Sequence, residues 1–298
     1  MKLGTYLRKE RFEPKSPKKT ERMIRAILTP DEYERFESFL QRRQNADWWD
    51  LRQEEILDFY QLVAITYEIK SCEANNLEDV LHTLKTIPNL CKEGKKIFIA
   101  GSGPGLLACY LGINYPHKEI IAADISRNML RIANKRRHKY NLSNLQFWAG
   151  DFRETSFFDR HFDTLVCVNS LYETDPDYSL NEFSRILSKG GRLIAKHPQT
   201  FPPNSSESYK DFILKRELKL FVDAGFSDIE YDFFPVFLAL DEVFKKEIGY
   251  VTWQAVKERE PKPISFPYRT DMAGYAKYRV IWPLIRPFKK LGMRIKGD

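Results

Sequence analysis

Residues 95–126 decide the fold of this chain, and their sequence is KKIFIAGSGPGLLACYLGINYPHKEIIAADIS. The apolar run Ile97–Ala100 predicts a buried strand, and three closely spaced glycines then predict a sharp turn into a helix over residues 106–114. A second apolar run over residues 119–123 predicts another buried strand, which ends in Asp124. Because glycine has no Cβ and a helix N-terminus has unpaired N–H groups, such a turn lets a ligand approach the main chain. The stretch therefore predicts a nucleotide-type pocket, with the carboxylate beside the ribose of the ligand.

The composition is that of a globular protein with a sizeable core. The chain has 298 residues, of which 43% are hydrophobic, and its apolar runs are too short to span a membrane. No signal-type apolar region follows the charged N-terminus, so we expect a cytoplasmic protein. The four cysteines match no C-x-x-C metal or redox pattern, and we expect buried, reduced thiols and no metal site.

The net charge of +7 comes from the two ends of the chain rather than from its middle. Residues 1–25 carry +6 and residues 271–298 carry +5, which leaves about −4 for the remainder. An acidic body argues against a broad nucleic-acid interface. Residues 278–295 interleave large apolar and basic side chains. This composition suits either peripheral contact with an anionic membrane or packing on the domain with the basic side solvated.

The pattern of the sequence divides the chain into four segments. Pro14 and Pro17 interrupt the polar N-terminal residues, so we expect an extended, flexible arm there. The first marked helix begins at a capping box formed by Thr29 and Glu32. Alternation of strands and helices further on predicts a parallel sheet covered on both faces. The segments are a basic arm (1–28), a helical cap (29–90), an α/β domain (91–258, with an aromatic insert at 232–249) and a basic C-terminal extension (259–298).

Six motifs of the α/β segment occur in the order and spacing of a known family. They are Ile97–Gly105, Ala123–Leu130, Gly150–Phe152, Phe162–Tyr172, Arg185–Gly191 and Asp223–Phe226. With these motifs, residues 95–257 resemble a class I S-adenosylmethionine-dependent methyltransferase. The resemblance implies an α/β, Rossmann-like sheet of seven strands, mostly parallel with an antiparallel last strand. Helices would cover both faces, and the N-terminal cap and the C-terminal extension would be additions to this fold.

The resemblance also implies which residues bind S-adenosylmethionine. Asp124 would accept hydrogen bonds from the ribose hydroxyls and Asp151 from the adenine amino group, while the glycine turn would bound the methionine part. The implied set is Gly101, Ser102, Gly103, Gly105, Asp124, Ile125, Asp151, Phe152 and Asn169. One position departs from the family, which usually has an acidic residue two places before the first glycine. This chain has Ile99 there, so the carboxylate that helps to hold the cofactor's amino group is missing.

Other functions on the same scaffold are less favoured. Residues 103–108 also fit the G-x-G-x-x-A pattern of NAD-dependent oxidoreductases, but the later motifs have no obvious place in that class. Residues 169–172 have the spacing of the N-P-P-Y motif of amino-methylating enzymes, but both prolines are absent, which disfavours a nucleic-acid methyltransferase. Ile99 leaves open a non-catalytic protein, or another transferase that uses S-adenosylmethionine.

We expect an enzyme that methylates a small, partly apolar or lipid-like acceptor, with the acceptor atom and the oligomeric state left open. Methyl transfer from a sulfonium requires a nucleophile held near the methyl carbon, and a base only when the nucleophile carries a proton. The candidates for catalysis, at the ends of the fourth and fifth strands, are Tyr172, Glu173 and His197. The candidates for the substrate pocket, from the cap and the insert, are Tyr60, Tyr67, Phe234 and Phe237.

Overall fold

The computed structural model describes residues 1–45, 53–72, 74–201, 207–236 and 247–261. Met1–Pro261 forms one compact unit, and residues 262–298, which include the candidate membrane-contact segment 278–295, lie outside the described residues. The N-terminal helices are α1 (Leu3–Lys9), α2 (Pro17–Ile27), α3 (Pro30–Asn45), α4 (Gln53–Lys70) and α5 (Ala74–Leu90). The helices that follow are α6 (Leu106–Asn114), α7 (Arg127–Lys139), α8 (Pro176–Ile186) and α9 (Glu207–Asp223).

The described strands form one seven-stranded sheet in the order β3-β2-β1-β4-β5-β7-β6. Strands β1 to β5 pair in parallel, and β7 lies antiparallel between β5 and β6. The bounds are β1 (Lys96–Ala100), β2 (Glu119–Asp124), β3 (Leu145–Ala149), β4 (Phe162–Val168), β5 (Leu187–Phe201), β6 (Phe226–Val236) and β7 (Glu247–Lys257). The predicted α/β class, with a mostly parallel seven-stranded sheet, is confirmed.

Buried apolar side chains cover both faces of the sheet. One cluster joins Phe98 and Leu165 of the sheet to Phe183 of α8, and the other joins Ile99 to α5 and α6. Because neighbouring strand residues point to opposite faces, the alternation decides which side chains enter each cluster. Ile99 is 2% exposed and lies inside the second cluster. The residue at the position of the missing carboxylate is therefore a core residue.

The N-terminal cap is held by a third cluster that reaches the α/β part of the chain. The capping box predicted at its start is present, because the Glu32 N–H donates to Thr29 Oγ1 (3.3 Å) and the Thr29 N–H donates to Glu32 Oε2 (2.8 Å). Phe39 of α3 and Phe59 of α4 stack with ring centroids 4.0 Å apart. The same cluster contains Met129 of α7. The cap therefore packs on the first helix after β2.

The expectation of an extended arm over residues 1–28 is wrong, because this segment forms α1 and α2. Tyr6 is fully buried, and its hydroxyl donates to the Leu106 carbonyl at 2.7 Å. Pro17 is the first residue of α2, after the N-cap Ser16. Proline is tolerated there, because that position needs no N–H donor. Pro17 therefore marks the start of a helix, and Pro14 lies in the connection between α1 and α2.

Three strands extend past the end of the parallel part of the sheet. Lys196 of β5 pairs with Val168, the last residue of β4, but β5 continues to Phe201 because it pairs with β7 back to Glu247. Residues 232–236 and 247–249 of the predicted insert belong to β6 and β7. The pairing of the strands, which no local pattern reveals, extends them into this region. Residues 237–246 lie outside the described residues.

Strand β6 lies at an edge of the sheet and is interrupted by a bulge. Its register against β7 shifts between Ser227 and Glu230, and Asp228 has a positive φ of 46°. Such a shift bends a strand and increases its local twist. Pro235 lies further along the same strand, where its missing N–H is compatible with an edge position.

A buried ammonium connects the N-terminal cap to the sheet. The Lys196 side chain is fully buried, and its Nζ donates to Asp79 Oδ1 of α5 (2.5 Å) and to Thr83 Oγ1 (2.7 Å). It also lies 4.7 Å from the centre of the Tyr250 ring. Burial lowers the pKa of Lys196, and the Asp79 carboxylate opposes this effect. A buried charge persists only where such partners surround it.

We predict that Asp79→Ala lowers the free energy of unfolding by about 3–5 kcal/mol, because it leaves a buried ammonium without its carboxylate. Urea unfolding measures this change. The double variant Asp79→Leu/Lys196→Met removes both charges and should lose much less stability. As a control, Glu119→Ala breaks an exposed pair with Lys96 (3.9 Å) and should cost less than about 1 kcal/mol. Equal losses for Asp79→Ala and Glu119→Ala would contradict the prediction.

Candidate functional site

The predicted glycine turn and Asp124 meet at the edge where the parallel strands end. The Gly103 N–H donates to Asp124 Oδ2 at 2.7 Å, and the Ser126 N–H donates to Asp124 Oδ1 at 2.8 Å. The Ser102 N–H donates to the Ala123 carbonyl at 2.7 Å. Burial raises the pKa of Asp124, although both backbone hydrogen bonds favour the carboxylate. The carboxylate therefore fixes the shape of the turn before any ligand binds.

The three glycines of the turn have different surroundings. A Cβ on Gly101 would lie 2.2 Å from Ser170 Oγ, and one on Gly105 would lie 2.8 Å from the Ala133 Cβ. A Cβ on Gly103 would meet no atom within 4 Å. Gly101 and Gly105 therefore permit close packing inside the protein. Gly103 borders open space, where a ligand could approach the backbone.

Two polar atoms beside this turn are buried without a hydrogen-bond partner among the described residues. They are Ser102 Oγ and Asn169 Oδ1. Asn169 follows β4 with a positive φ of 57°, and its Nδ2 donates to Asp79 Oδ2 at 2.8 Å. Its N–H donates to the Lys196 carbonyl at 2.7 Å. Because an unpaired buried polar atom costs free energy, the two atoms mark positions where a polar ligand would be stabilised.

The residues predicted to contact the adenine part lie in a different environment. The Asp151 carboxylate accepts from Arg153, whose Nε lies 3.0 Å from Oδ1 and 2.9 Å from Oδ2. Phe152 is buried against Phe183, and the ring centroids are 5.6 Å apart. Ile125 is 39% exposed. A ligand amino group at Asp151 would therefore share the carboxylate with Arg153, and the assignment stays a prediction.

Arg136 of α7 supports the glycine turn from inside the protein. Its guanidinium donates to the Pro104 carbonyl, to Glu10 Oε2 (2.6 Å) and to Glu68 Oε1. Only 4% of the Arg136 side chain is exposed. One cation thus joins α1, α4 and the turn. Sequence reasoning missed this role, because Arg136 stands in a run of basic residues and no local pattern distinguishes it from its neighbours.

Helix α4 contacts both sides of the site. The Tyr60 hydroxyl donates to Glu173 Oε1 (2.8 Å) in the single turn of 3-10 helix after β4. The next residue, Gln61, accepts from the Asn128 N–H (3.1 Å) in the first turn of α7. Tyr67 lies about two helical turns further along α4, on the same face as Tyr60, and 37% of it is exposed. Two of the predicted pocket residues therefore belong to the helix that borders the site.

Of the other two predicted pocket residues, Phe234 of β6 lies opposite Tyr250 of β7 in the strand pairing. Phe234 stacks on His82 of α5, with ring centroids 4.1 Å apart. Burial raises the pKa of the nearby strand residue Tyr250, and Asp79 and Tyr67 add to this effect. Phe237 lies outside the described residues. The aromatic wall of the site therefore contains Tyr250, which the sequence did not single out.

Of the three catalytic candidates, Tyr172 and His197 lie together and Glu173 is turned toward Tyr60. The Tyr172 and His197 rings meet edge to face, with centroids 4.4 Å apart. His197 Nε2 lies 3.2 Å from Glu217 Oε2, which also accepts from Trp253 Nε1 at 3.1 Å. Sequence reasoning missed Glu217. The pattern that could have identified it is an acidic residue on the apolar face of α9, three residues after Leu214 and four before Phe221.

The described ranges contain no group of three or more His, Cys, Asp or Glu side chains that could hold a metal ion. None of their helices is long and apolar enough to cross a membrane. The four cysteines are buried free thiols, as the sequence predicted.

Comparison with known proteins identifies the central part of this chain. Residues 97–191 match a family model described as a methyltransferase domain. The matched segment, about a third of the chain, is thus similar to methyltransferase domains, which agrees with the resemblance in the motifs. The match begins in β1 and ends in β5, so it contains the glycine turn, Asp124 and Asn169.

Curated relatives match about a third of the chain. The demethylmenaquinone methyltransferase of Thermotoga maritima is 33% identical over 112 residues, which are 37% of this chain and 46% of that protein. The fatty-acid O-methyltransferase of Mycolicibacterium smegmatis is 33% identical over 104 residues, which are 34% of this chain and 36% of that protein. The chain thus spans less than half the length of these relatives. A structure of phosphoethanolamine N-methyltransferase 2 from Haemonchus contortus with S-adenosyl-L-methionine has 19% identity and a TM-score of 0.48, covering 63% of this chain and 53% of that one.

We predict that Gly101→Ala destabilises the protein, whereas Gly103→Ala mainly weakens ligand binding. Both glycines have positive φ, so both variants carry the same left-handed strain of about 1–2 kcal/mol. Only Gly101→Ala adds a clash, worth roughly 1–3 kcal/mol more. Urea unfolding and calorimetric titration with S-adenosylmethionine separate the two effects. Gly190→Ala is the matched control, because Gly190 has positive φ and open space but lies in β5, away from the site. Binding as weak in Gly190→Ala as in Gly103→Ala would contradict the prediction.

Proposed function

We propose that this protein transfers the methyl group of S-adenosylmethionine to a small, partly apolar or lipid-like acceptor. The observation that carries the proposal is the glycine turn, open at Gly103 and fixed by Asp124, inside a methyltransferase domain. When bound, S-adenosylmethionine supplies an electrophilic methyl group on a sulfonium sulfur. The residues of the chain then have to hold the cofactor, position the acceptor and exclude water.

The donors and acceptors beside the turn fit this cofactor. Ribose hydroxyls are donors, and each oxygen of the Asp124 carboxylate keeps acceptor capacity beyond its one backbone hydrogen bond. Ser102 Oγ and Asn169 Oδ1 lack partners among the described residues, so each can accept a hydrogen bond from the ligand. Gly103 allows the ligand to reach the backbone. These residues would hold the cofactor at the ends of β1, β2 and β4.

Asn169 is the residue that we assign to the amino group of the cofactor in place of the missing acidic residue. Ile99 cannot take this role, because it lies in the apolar core. Asn169 Oδ1 is a buried acceptor, and Asp79 holds the amide through Nδ2 at 2.8 Å. Helix α5 would therefore supply, through Asn169, part of what a strand carboxylate supplies in the family.

The surroundings of the site support an acceptor with apolar surface. Tyr60 and Tyr67 of α4 and Tyr250 of β7 border the region beyond the ends of the strands. Aromatic side chains that carry a hydroxyl combine apolar contact area with a polar tip. The names of the relatives mention demethylmenaquinone and fatty acid, which are apolar molecules with a polar reactive end. A comparable acceptor fits this wall.

We predict that Asp124→Asn weakens S-adenosylmethionine binding by roughly 10–100-fold, the equivalent of one charged hydrogen bond. The pH dependence gives a second readout. The binding form of Asp124 is the carboxylate and burial raises its pKa, so affinity should fall as the pH is lowered through that raised value. The loss should begin at a higher pH than for an ordinary aspartate. Calorimetric titration from pH 8 to pH 4.5 measures both effects.

Two comparisons make this test decisive. The control variant Asp31→Asn alters an exposed carboxylate in the first turn of α3 and should bind like the wild type. If wild type and Asp124→Asn bind alike at every pH, the cofactor assignment is wrong. Binding of S-adenosylmethionine without formation of S-adenosylhomocysteine with any acceptor would favour the non-catalytic alternative. Binding of NADH instead would favour the oxidoreductase.

We propose peripheral membrane contact through residues 278–295 as a feature of the same function, on the evidence of composition alone. A variant with Lys289, Lys290 and Arg294 changed to Glu should lose most of its binding to vesicles that contain anionic lipid. Vesicle pelleting measures this, with neutral phosphatidylcholine vesicles as the comparison. The matched control changes Lys18, Lys19 and Arg22 of α2 to Glu and should retain binding. Equal binding of both variants would reject this contact.

A further inference from the structure

A histidine and a glutamate form a buried pair at the end of β5. His197 is 3% exposed, and its Nε2 lies 3.2 Å from Glu217 Oε2 of α9. Trp253 of β7 donates its indole N–H to the same carboxylate oxygen at 3.1 Å. The carboxylate is therefore held between two side chains and cannot turn away from the imidazole without losing both contacts.

This pairing determines which nitrogen of His197 is available. A carboxylate accepts hydrogen bonds and does not donate them, so Nε2 must carry the proton that points to Glu217. In the neutral ring the lone pair then belongs to Nδ1. His197 Nδ1 is buried and has no hydrogen-bond partner among the described residues. The pair thus presents a proton acceptor whose orientation is already fixed.

His197 lies in β5 next to the residue that contacts the end of β4. The Lys196 carbonyl, which is bonded to the nitrogen of His197, accepts from the Asn169 N–H at 2.7 Å. His197 is therefore the residue next to the point where β5 touches the candidate cofactor-binding Asn169. Its ring meets the ring of Tyr172, whose hydroxyl also lacks a partner among the described residues. Two buried polar atoms without described partners, carried by rings that touch each other, indicate a position for a polar group of a ligand.

The neighbouring candidates are less suited to accept a proton. Burial raises the pKa of Tyr172 well above its usual value, so its hydroxyl stays protonated at neutral pH and acts as a donor. Glu173 accepts from the Tyr60 hydroxyl at 2.8 Å, which orients it toward α4. His197 is the remaining group of the three with a fixed, free acceptor.

We propose that the acceptor substrate carries a hydroxyl group of phenol or quinol type, that His197 Nδ1 takes its proton, and that Glu217 positions His197 for this step. The inference rests on the proposed function and names the chemical class of its acceptor. Tyr172 donates a hydrogen bond to a second oxygen of the substrate. An acceptor that is already an anion, such as a carboxylate, would need no such base.

The step balances as a single displacement. The acceptor oxygen forms a bond to the methyl carbon, and the bond between that carbon and the sulfonium sulfur breaks with its electron pair remaining on sulfur. The hydroxyl proton moves to His197 Nδ1, and the imidazolium that forms is stabilised by the Glu217 carboxylate. The products are the methyl ether, S-adenosylhomocysteine and one proton, which His197 later releases to water.

The imidazole of His197 has few charged neighbours among the described residues. The titratable groups that face it there are Glu217 from α9 and Tyr172 from the 3-10 turn, with Arg216 acting on Tyr172. The residue opposite His197 on β7 is Val251, which does not titrate. The neutral imidazole is the form that can take the proton.

The test measures S-adenosylhomocysteine release with two probes, 1,4-dihydroxynaphthalene and decanoate. We expect turnover of the dihydroxynaphthalene, with kcat lowered about 100-fold or more in His197→Gln. Glu217→Gln keeps the shape of the side chain, and it should lower kcat with little change in KM. The matched control is His117→Gln, since His117 is an exposed histidine after α6, far from the strand ends that form the site.

Two further measurements keep the outcomes distinct. Calorimetric affinity for S-adenosylmethionine and the thermal unfolding midpoint should be unchanged in Glu217→Gln and His197→Gln, which separates loss of the base from loss of the fold. Lack of cofactor binding by the wild type would reject the proposed function itself. With cofactor bound, the inference is overturned by turnover of decanoate alone or of neither probe. It is also overturned by a His197→Gln variant that retains kcat within threefold of the control.

Discussion

The buried ammonium of Lys196 is the interaction on which the arrangement of this molecule depends. Removing a cation from water is costly, so the carboxylate of Asp79 has to stay beside it, and Asp79 lies on the N-terminal helix α5. The second oxygen of the same carboxylate holds the amide of Asn169 at the end of β4. One carboxylate therefore fixes how the helical cap docks and how a candidate site residue is oriented. The cap is part of the site for that reason.

The glycine turn is supported in the same way from two sides. Asp124 accepts the Gly103 N–H on the side of the site, and Arg136 donates to the Pro104 carbonyl from the interior. Arg136 is itself held by Glu10 of α1 and Glu68 of α4. Residues from distant parts of the chain thus support the backbone of the glycine turn, residues 101–105. This is the kind of pre-organisation that a binding loop needs if its shape is to exist before the ligand arrives.

The parts of the structure that sequence reasoning predicted are those set by neighbouring residues. Glycine spacing, strand alternation and the capping box at Thr29 depend on local backbone chemistry, and they predicted the sheet class and the turn. For residues 1–28 the prolines led to the wrong prediction of an extended arm. The free-energy cost of proline depends on its position within a helix, and it is small at the first residue. The lengths of β6 and β7 come from strand pairing, which needs the partner strand to be known.

What the sequence could not give is the set of side-chain partners at the site. Asp79 and Lys196 are 117 residues apart in the chain, and Glu10 and Arg136 are 126 apart. Periodicity within one helix or strand carries no information about such pairs. Glu217 differs from these residues, because an acidic residue on the apolar face of a helix indicates a buried partner. The sequence reasoning missed this signal, and the signal does not identify His197 as the partner.

The bulge in β6 has a consequence for how copies of this protein meet each other in solution. An open strand edge offers a row of unpaired backbone groups to the same strand of another molecule. Here the edge is bent near Asp228, lacks one donor at Pro235, and exposes the charged side chains of Glu230 and Asp232. These features oppose the continuation of the sheet from one molecule to the next. Among the described strands, the longer of the two edges thereby disfavours aggregation by strand addition.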